Sequence, residues 1–179
     1  GNNVSEFWEN IKKGTVGIDN ITKFDTEKFK VKLAAEVKNF NAADYMDKKE
    51  ARRMDPFCQY AIAASKEAFA DSNLTVTKEN AERIGVIIGS GIGGLGTIET
   101  EHKKLLEKGP QRVSPLMIPM VIGNMAAGNV AIHLGLKGKC TSVVTACATA
   151  THSIGEAYRS IKYDDADAIL AGGCEASIT

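Results

Sequence analysis

One cysteine stands where a nucleophile would be mounted. In Thr141-Ser-Val-Val-Thr-Ala-Cys147-Ala-Thr-Ala-Thr-His-Ser-Ile-Gly-Glu156 the front half, Ser142 to Ala146, is small and β-branched, the composition of a strand buried on both faces. The back half turns helical, because Ile154, Ala157, Tyr158 and Ile161 fall at i, i+3, i+4 and i+7, one apolar face. Cys147 lies at the junction. A thiol there meets the N–H groups and positive end of the helix, which favour thiolate and can hold an oxyanion. A small buried residue closing a tight turn fits the same pattern, and local spacing leaves both readings open.

Two further stretches carry chemical interest. Gly89-x-Gly91-x-x-Gly94 follows an apolar run and precedes a helical pattern, which taken literally is a dinucleotide fingerprint. No second short strand–helix unit follows with an acid placed for a ribose, and Glu107 lies on the helix itself. Glycines also serve where backbone must pass close to something bulky. Lys48, Lys49, Arg52 and Arg53 cluster just ahead of a helix that Asp55-Pro56 should open. Cations there cost about a few tenths of a kcal/mol each. The cluster therefore either meets an anionic partner or is a solvated charged turn.

The elements that must position these residues alternate. Val4, Phe7, Trp8 and Ile11 predict an amphipathic helix stopped by Gly14. Lys28 to Val37 predicts a half-exposed strand, and Asn41 to Met46 a short helical turn. The helix from Pro56 should bury Phe57, Ala61, Ala64 and Ala68. Arg83 to Gly89 reads as a buried strand, and Thr97 to Lys108 as a helix closed by Gly109-Pro110. Ser114 to Pro119 is expected to be a loop whose apolar residues go to the core, a channel or a subunit interface. Met120 to Leu134 predicts one nearly all-apolar helix ending at Gly135, packed under the cysteine's own helix. Ile169 to Thr179 closes the chain as a buried strand without a covering helix. The order implies an α/β layered fold.

The 179 residues suit one ordinary domain, with 44% hydrophobic and 25% charged residues. Basic and acidic residues balance at 22 each, so no global field points to nucleic acid. No apolar run reaches the roughly 18 residues a membrane span needs, and Gly1-Asn-Asn-Val-Ser-Glu lacks a secretory leader. Cys58, Cys140, Cys147 and Cys174 show no metal-ligand spacing and read as reduced thiols of a cytoplasmic protein. Both ends are expected to be cut, so that residues 1–179 form one N-terminal domain of a larger enzyme.

Val144-Thr-Ala-Cys147-Ala-Thr-Ala, Gly89-Ser-Gly-Ile-Gly-Gly94, Ser114-Pro, Asn124-Met and Ala166-Asp-Ala-Ile-Leu-Ala-Gly-Gly-Cys-Glu175 occur in an order that resembles the β-ketoacyl-[acyl carrier protein] synthases, and among them the synthase II branch of bacterial type II fatty acid synthesis. The resemblance covers essentially the whole chain. It implies a thiolase-like, layered α-β-α-β-α fold of two pseudo-repeated halves, of which this chain is roughly the first without its opening strand. It implies that Cys147 accepts an acyl group from an acyl carrier protein as a thioester. Decarboxylated malonyl on a second carrier then attacks that thioester to give a β-ketoacyl product. Ile92 matches a residue at the mouth of the acyl pocket; Leu95, Met117 and Ile118 match positions near the acyl channel, part of which crosses a homodimer interface. Lys49, Arg52 and Arg53 match the patch that docks the acidic carrier. No cofactor, metal, nucleic acid or membrane insertion is implied.

The same family activates malonyl with two histidines and a lysine of its second half. His152 lies five residues beyond Cys147, roughly 140° around a helix, and should point away. His102 and His133 sit in no motif and read as ordinary surface or core residues. The chain alone is therefore expected not to complete a condensation. Polyketide ketosynthases, which share the cysteine motif, are the nearest enzymatic rival, with a dinucleotide-binding oxidoreductase domain and a non-catalytic dimerising scaffold as readings of other classes.

Overall fold

A computed structural model describes all 179 residues, which form two compact units. The smaller comprises Gly1–Asn41 with Ile178–Thr179. Its helix α1 (Val4–Lys12) starts where the Asn3 side chain accepts from the Glu6 N–H at 2.8 Å, and the chain turns out at Gly14, φ +67°. Val4, Phe7, Trp8 and Ile11 share one face as expected, yet all are more than half exposed. The expected strand over Lys28–Val37 shrinks to a two-residue antiparallel pairing of β1 (Asp19–Asn20) with β2 (Leu33–Ala34). With so short a partner there is no ladder to hold the rest extended.

The larger unit, Ala42–Ser177, carries the sheet. A 3₁₀ turn at Ala42–Asp44 and the short α2 (Lys48–Ala51) lead to α3 (Pro56–Asp71). Strand β3 (Ile84–Gly89) follows, then α4 (Leu95–Lys108), α5 (Met117–Val121), α6 (Met125–Leu134), β4 (Cys140–Thr141), α7 (Thr149–Lys162) and β5 (Ala168–Gly173). The three strands are parallel in the order β4-β3-β5, with Ile84 opposite Ala168 and Gly89 opposite Gly173. Every residue of β3 is buried, as its apolar run requires.

Alternate residues of β3 face opposite layers. Ile84, Val86 and Ile88 pack with Phe57, Cys58, Ala61 and Ile62 of α3 and Ala126, Ala127 and Val130 of α6. Gly89 faces the start of α7, where a Cβ would meet Thr149 Cγ2 at 2.5 Å. Layers of helix thus cover both sides of the sheet. No helix is long and apolar enough to cross a membrane.

Several local expectations are corrected. Helix α3 buries Phe57, Cys58, Ala61, Ile62, Ala63 and Ser65, while Ala64 and Ala68 are exposed. The run Met120–Leu134 is two helices. Val121 O accepts from the Gly94 N–H at 2.9 Å, a bond from outside the helix, and α5 ends there. Helix α6 packs on α3 and β3 and not beneath α7. Ser142–Ala146 is not a strand: β4 pairs with β3 on one side only, at Cys140 and Thr141, and Val144 is 59% exposed. Helix α7 buries Thr149, Ser153, Ala157 and Ser160; of the apolar face Ile154, Ala157, Tyr158 and Ile161, only Ala157 is turned inward. The closing segment pairs as β5 for six residues, and α7 does pack against it.

Candidate active site

Three strand exits meet at the carboxyl edge of the parallel sheet, the edge where open α/β sheets hold their ligands. Strand β3 runs out into the glycine loop Ser90–Gly93, β4 into the segment bearing Cys147, and β5 into Cys174 and Glu175.

Cys147 occupies the middle of a single 3₁₀ turn, Ala146–Ala148, directly before α7. Ala146 takes φ +51°, a left-handed conformation that costs a residue with a Cβ about 1–2 kcal/mol. That bend throws the thiol outward, and Cys147 is exposed. The turn is fixed from both sides. The Ala148 N–H donates to Thr145 O at 3.1 Å, and the Thr145 N–H donates to Thr149 Oγ1 at 2.9 Å, with Thr149 buried. His152 Nδ1 lies 2.6 Å from Thr145 Oγ1, so its ring is engaged with the residue two before the cysteine.

The other thiols differ. Burial pushes Cys58 and Cys174 up to about 12 and also raises Cys140. Those three are poorer sources of thiolate at neutral pH.

The glycine loop abuts this turn. A Cβ on Gly91 would lie 3.7 Å from Ala146 Cα, while one on Gly93 would stand 2.3 Å from Val121 O, so the loop threads between the cysteine turn and the end of α5. Here glycine is required by close approach, and Gly93 also has φ +80°. Ile92, 56% exposed, is the loop's one large side chain. Leu95 opens α4 and Met117 opens α5, both half-buried, and Ile118 is 62% exposed. Helices α4 and α5 pack together, so the four expected pocket residues belong to elements clustered around one loop.

Lys49 lies in α2, with Arg52 and Arg53 immediately after it, all exposed. Lys49 and Arg53 line a cleft of about 430 Å³ with Asp47, Met54, Leu116 and Met125. Glu50 lines it too, so the cleft pairs two cations with two carboxylates beside its apolar residues. His133 Nδ1 lies 3.3 Å from Glu50 Oε1, and His102 is exposed on α4.

Two carboxylates absent from the site predicted by spacing organise it. Asp55, 2% exposed, accepts from the Phe57 N–H at the start of α3, as expected of an N-cap, and also from Thr97 N–H at 3.1 Å and Thr97 Oγ1 at 2.7 Å. It therefore caps α4 as well, whose own cap residue Gly94 has no side chain to do so. Glu175 binds the glycine loop from 83 and 84 residues away. Its partners are too distant in sequence for any local pattern to mark it.

A parallel sheet with helices on both faces and an outward thiol on a bend at its carboxyl edge defines a layered α/β domain. All of residues 1–179 match the family described as Beta-ketoacyl synthase, N-terminal domain, and the chain belongs to that family. It is 57% identical over 179 residues to 3-oxoacyl-[acyl-carrier-protein] synthase 2 of Staphylococcus aureus and 52% identical to that of Vibrio cholerae serotype O1. It covers 44% and 43% of those relatives, so it spans under half their length. Among solved structures, the ishigamide ketosynthase/chain length factor superposes with a TM-score of 0.83 at 29% identity, covering 95% of this chain and 43% of that one. A β-ketoacyl synthase from Burkholderia phymatum STM815 gives 0.74 at 27% identity, covering 92% and 41%. A type II polyketide ketosynthase in complex with its acyl-carrier protein and bound to the hexaketide gives 0.71 at 26%, covering 78% and 40%.

Proposed function

We propose that this chain is the acyl-accepting part of a 3-oxoacyl-[acyl carrier protein] synthase of fatty acid biosynthesis, with Cys147 as the nucleophile. The observation that carries the reading is the mounting of Cys147: exposed, on a bend strained at Ala146, between a glycine loop and the start of α7. In the first step the Cys147 thiolate attacks the acyl carbonyl of a carrier-bound thioester. The carrier's thiolate leaves and takes up a proton, and the acyl group stays on Sγ. In the second, the C–C bond of a malonyl thioester breaks, carbon dioxide departs, and the electron pair left on the α-carbon attacks the acyl carbonyl. Cys147 leaves as thiolate, and the product is a β-ketoacyl chain one malonyl-derived unit longer. The family resemblance assigns the groups that drive that second step to the second half of such enzymes; here His133 Nδ1 meets Glu50 and His152 Nδ1 meets Thr145 of the cysteine turn.

Ile92, Leu95, Met117 and Ile118 line the entrance for the acyl chain in this reading, and Lys49, Arg52 and Arg53 meet the acidic carrier. The exposure of Lys49, Arg52 and Arg53 on one short stretch supports that docking role, although Asp47 and Glu50 share the adjoining cleft. Four free cysteines fit a reducing, cytoplasmic setting, and a homodimer completes the family pattern. The 57% identity to 3-oxoacyl-[acyl-carrier-protein] synthase 2 supports the fatty acid pathway. A nucleotide reading of the glycine loop is disfavoured because the Gly91 and Ile92 N–H groups already donate to a carboxylate.

The test is acylation. The chain is incubated with a long-chain acyl thioester, or with iodoacetamide, and the adduct is mapped by mass spectrometry. Modification of Cys147 ahead of Cys58, Cys140 and Cys174 is expected. Uniform labelling, or labelling elsewhere, overturns the activated-thiol reading.

A further inference from the structure

The glycine loop does not hold itself in place. Glu175 Oε2 accepts from the Gly91 N–H at 2.8 Å and the Ile92 N–H at 3.1 Å, and Ser90 Oγ donates to Glu175 Oε1 at 3.2 Å. Ser90, 2% exposed, also accepts from the Gly93 N–H at 3.0 Å, so the loop closes into a concave row of donors around one carboxylate. Strand register delivers that carboxylate. Gly89 pairs with Gly173, the Cys174 N–H continues the ladder to Gly89 O at 3.0 Å, and Glu175 then emerges opposite Ser90. Charge-assisted bonds to backbone N–H groups are among the stronger hydrogen bonds a side chain makes. Ile92 itself donates one of them, so the backbone from which its exposed side chain projects is fixed from β5.

We propose that Glu175 is a positioning residue: its carboxylate ties the Ser90–Gly93 loop to the end of β5 and so sets where Ile92 stands beside the Cys147 turn, making Glu175 a determinant of which acyl thioesters reach the thiol. The specificity part rests on the acyl-transfer reading given above; the tether does not. Glu175 touches neither Cys147 nor the reacting atoms. It acts through Ile92 and Gly91, the latter standing against Ala146.

Two variants attack the tether from opposite sides. Glu175→Ala removes the acceptor. Gly91→Ala places a methyl 2.8 Å from Glu175 Oε2, the free end of a flexible side chain, which must move aside. Glu175→Gln keeps an uncharged oxygen for the Gly91 and Ile92 N–H groups and turns its NH2 toward the Ser90 hydroxyl, which can accept it, and should recover part of the effect. Hydrogen exchange of the amides of Gly91 and Ile92 is read first. Both Ala variants should speed it by about tenfold or more without changing exchange in β3 or α7. Unchanged exchange overturns the tether, whatever Cys147 does. Acylation of Cys147 by dodecanoyl and butyryl thioesters is read next, with iodoacetamide as a small probe. The ratio of long to short acylation should change by about tenfold, with alkylation by iodoacetamide nearly unaltered. Faster exchange with an unchanged ratio overturns the specificity role. If the unaltered chain takes neither thioester at Cys147, the acyl-transfer reading and the specificity role fall together, while the exchange result still decides the tether.

Discussion

The two faces of the sheet are built on opposite plans. On the α3 and α6 side, Phe57, Ile62, Val86 and Val130 are essentially inaccessible and meet large side chain to large side chain. On the α7 side the contact residues are small. Gly89 and Gly173 lie against Thr149 and Ala150, and Ser153, Ala157 and Ser160 are buried, while Ile154, Tyr158 and Ile161 face away. One face is a finished apolar core that holds the fold. The other lets a helix approach the strands closely enough that its first turn, and the thiol before it, are located by backbone contact. Stability and placement of the candidate nucleophile are thus assigned to different layers.

Truncation should expose that division most strongly. Phe57→Ala is expected to cost about 3–5 kcal/mol, since the ring is fully enclosed and the site cannot collapse around the void. Ile154→Ala and Tyr158→Ala, at 58% and 63% exposure, should each stay within about 0.5 kcal/mol. Urea midpoints of the three variants decide the matter. A large loss from Ile154→Ala would mean that the outer face of α7 is part of this chain's own core.

Gly89→Ala tests the second face. The new methyl would fall 2.0 Å from Val143 O and 2.5 Å from Thr149 Cγ2, so the segment after β4 and the start of α7 must both give way. A loss of about 1–3 kcal/mol is expected from overpacking. Alkylation of Cys147 should slow by more than the stability change explains. Equal alkylation rates at a temperature where both proteins are folded would show that close packing does not place the thiol.

The two plans were not equally legible in the sequence. The core side announced itself through local chemistry: Asp55-Pro56 opens α3, Gly135 with φ +70° ends α6, and the apolar run of β3 is buried throughout. The cysteine at a turn into a helix was also visible. Apolar character alone did not say which of the other faces are buried. The outward Ile154 and Tyr158, the exposed face of α1 and the lost strand at Ser142–Ala146 depend on which neighbours lie opposite, and periodicity carries no such information. The break between α5 and α6 depends on the Gly94 N–H taking Val121 O, and Glu175 on strand register. Both link residues tens of positions apart, beyond the reach of any window along the chain.

The thiols of the core face give the finest test of the contrast, because burial couples their titration to folding. Burial holds Cys58 and Cys174 at about 12, above the ordinary 9.0. An unfolded chain releases these protons as pH passes 9, and the folded chain retains them until about 12. The folded pKa is raised, so this contribution to stability is whole below pH 9 and is lost as pH rises toward 12. At pH 10 each thiol should cost about 1.4 kcal/mol relative to neutral pH. Tyr60, raised in the same direction by burial, adds to the loss at higher pH. Cys174→Ala should therefore lose about 1.4 kcal/mol less than the unaltered chain between pH 8 and pH 10, measured by urea denaturation at the two values. If removing Cys174 leaves the profile as steep as before, the core face is wetter than its packing implies and the division between the two faces fails.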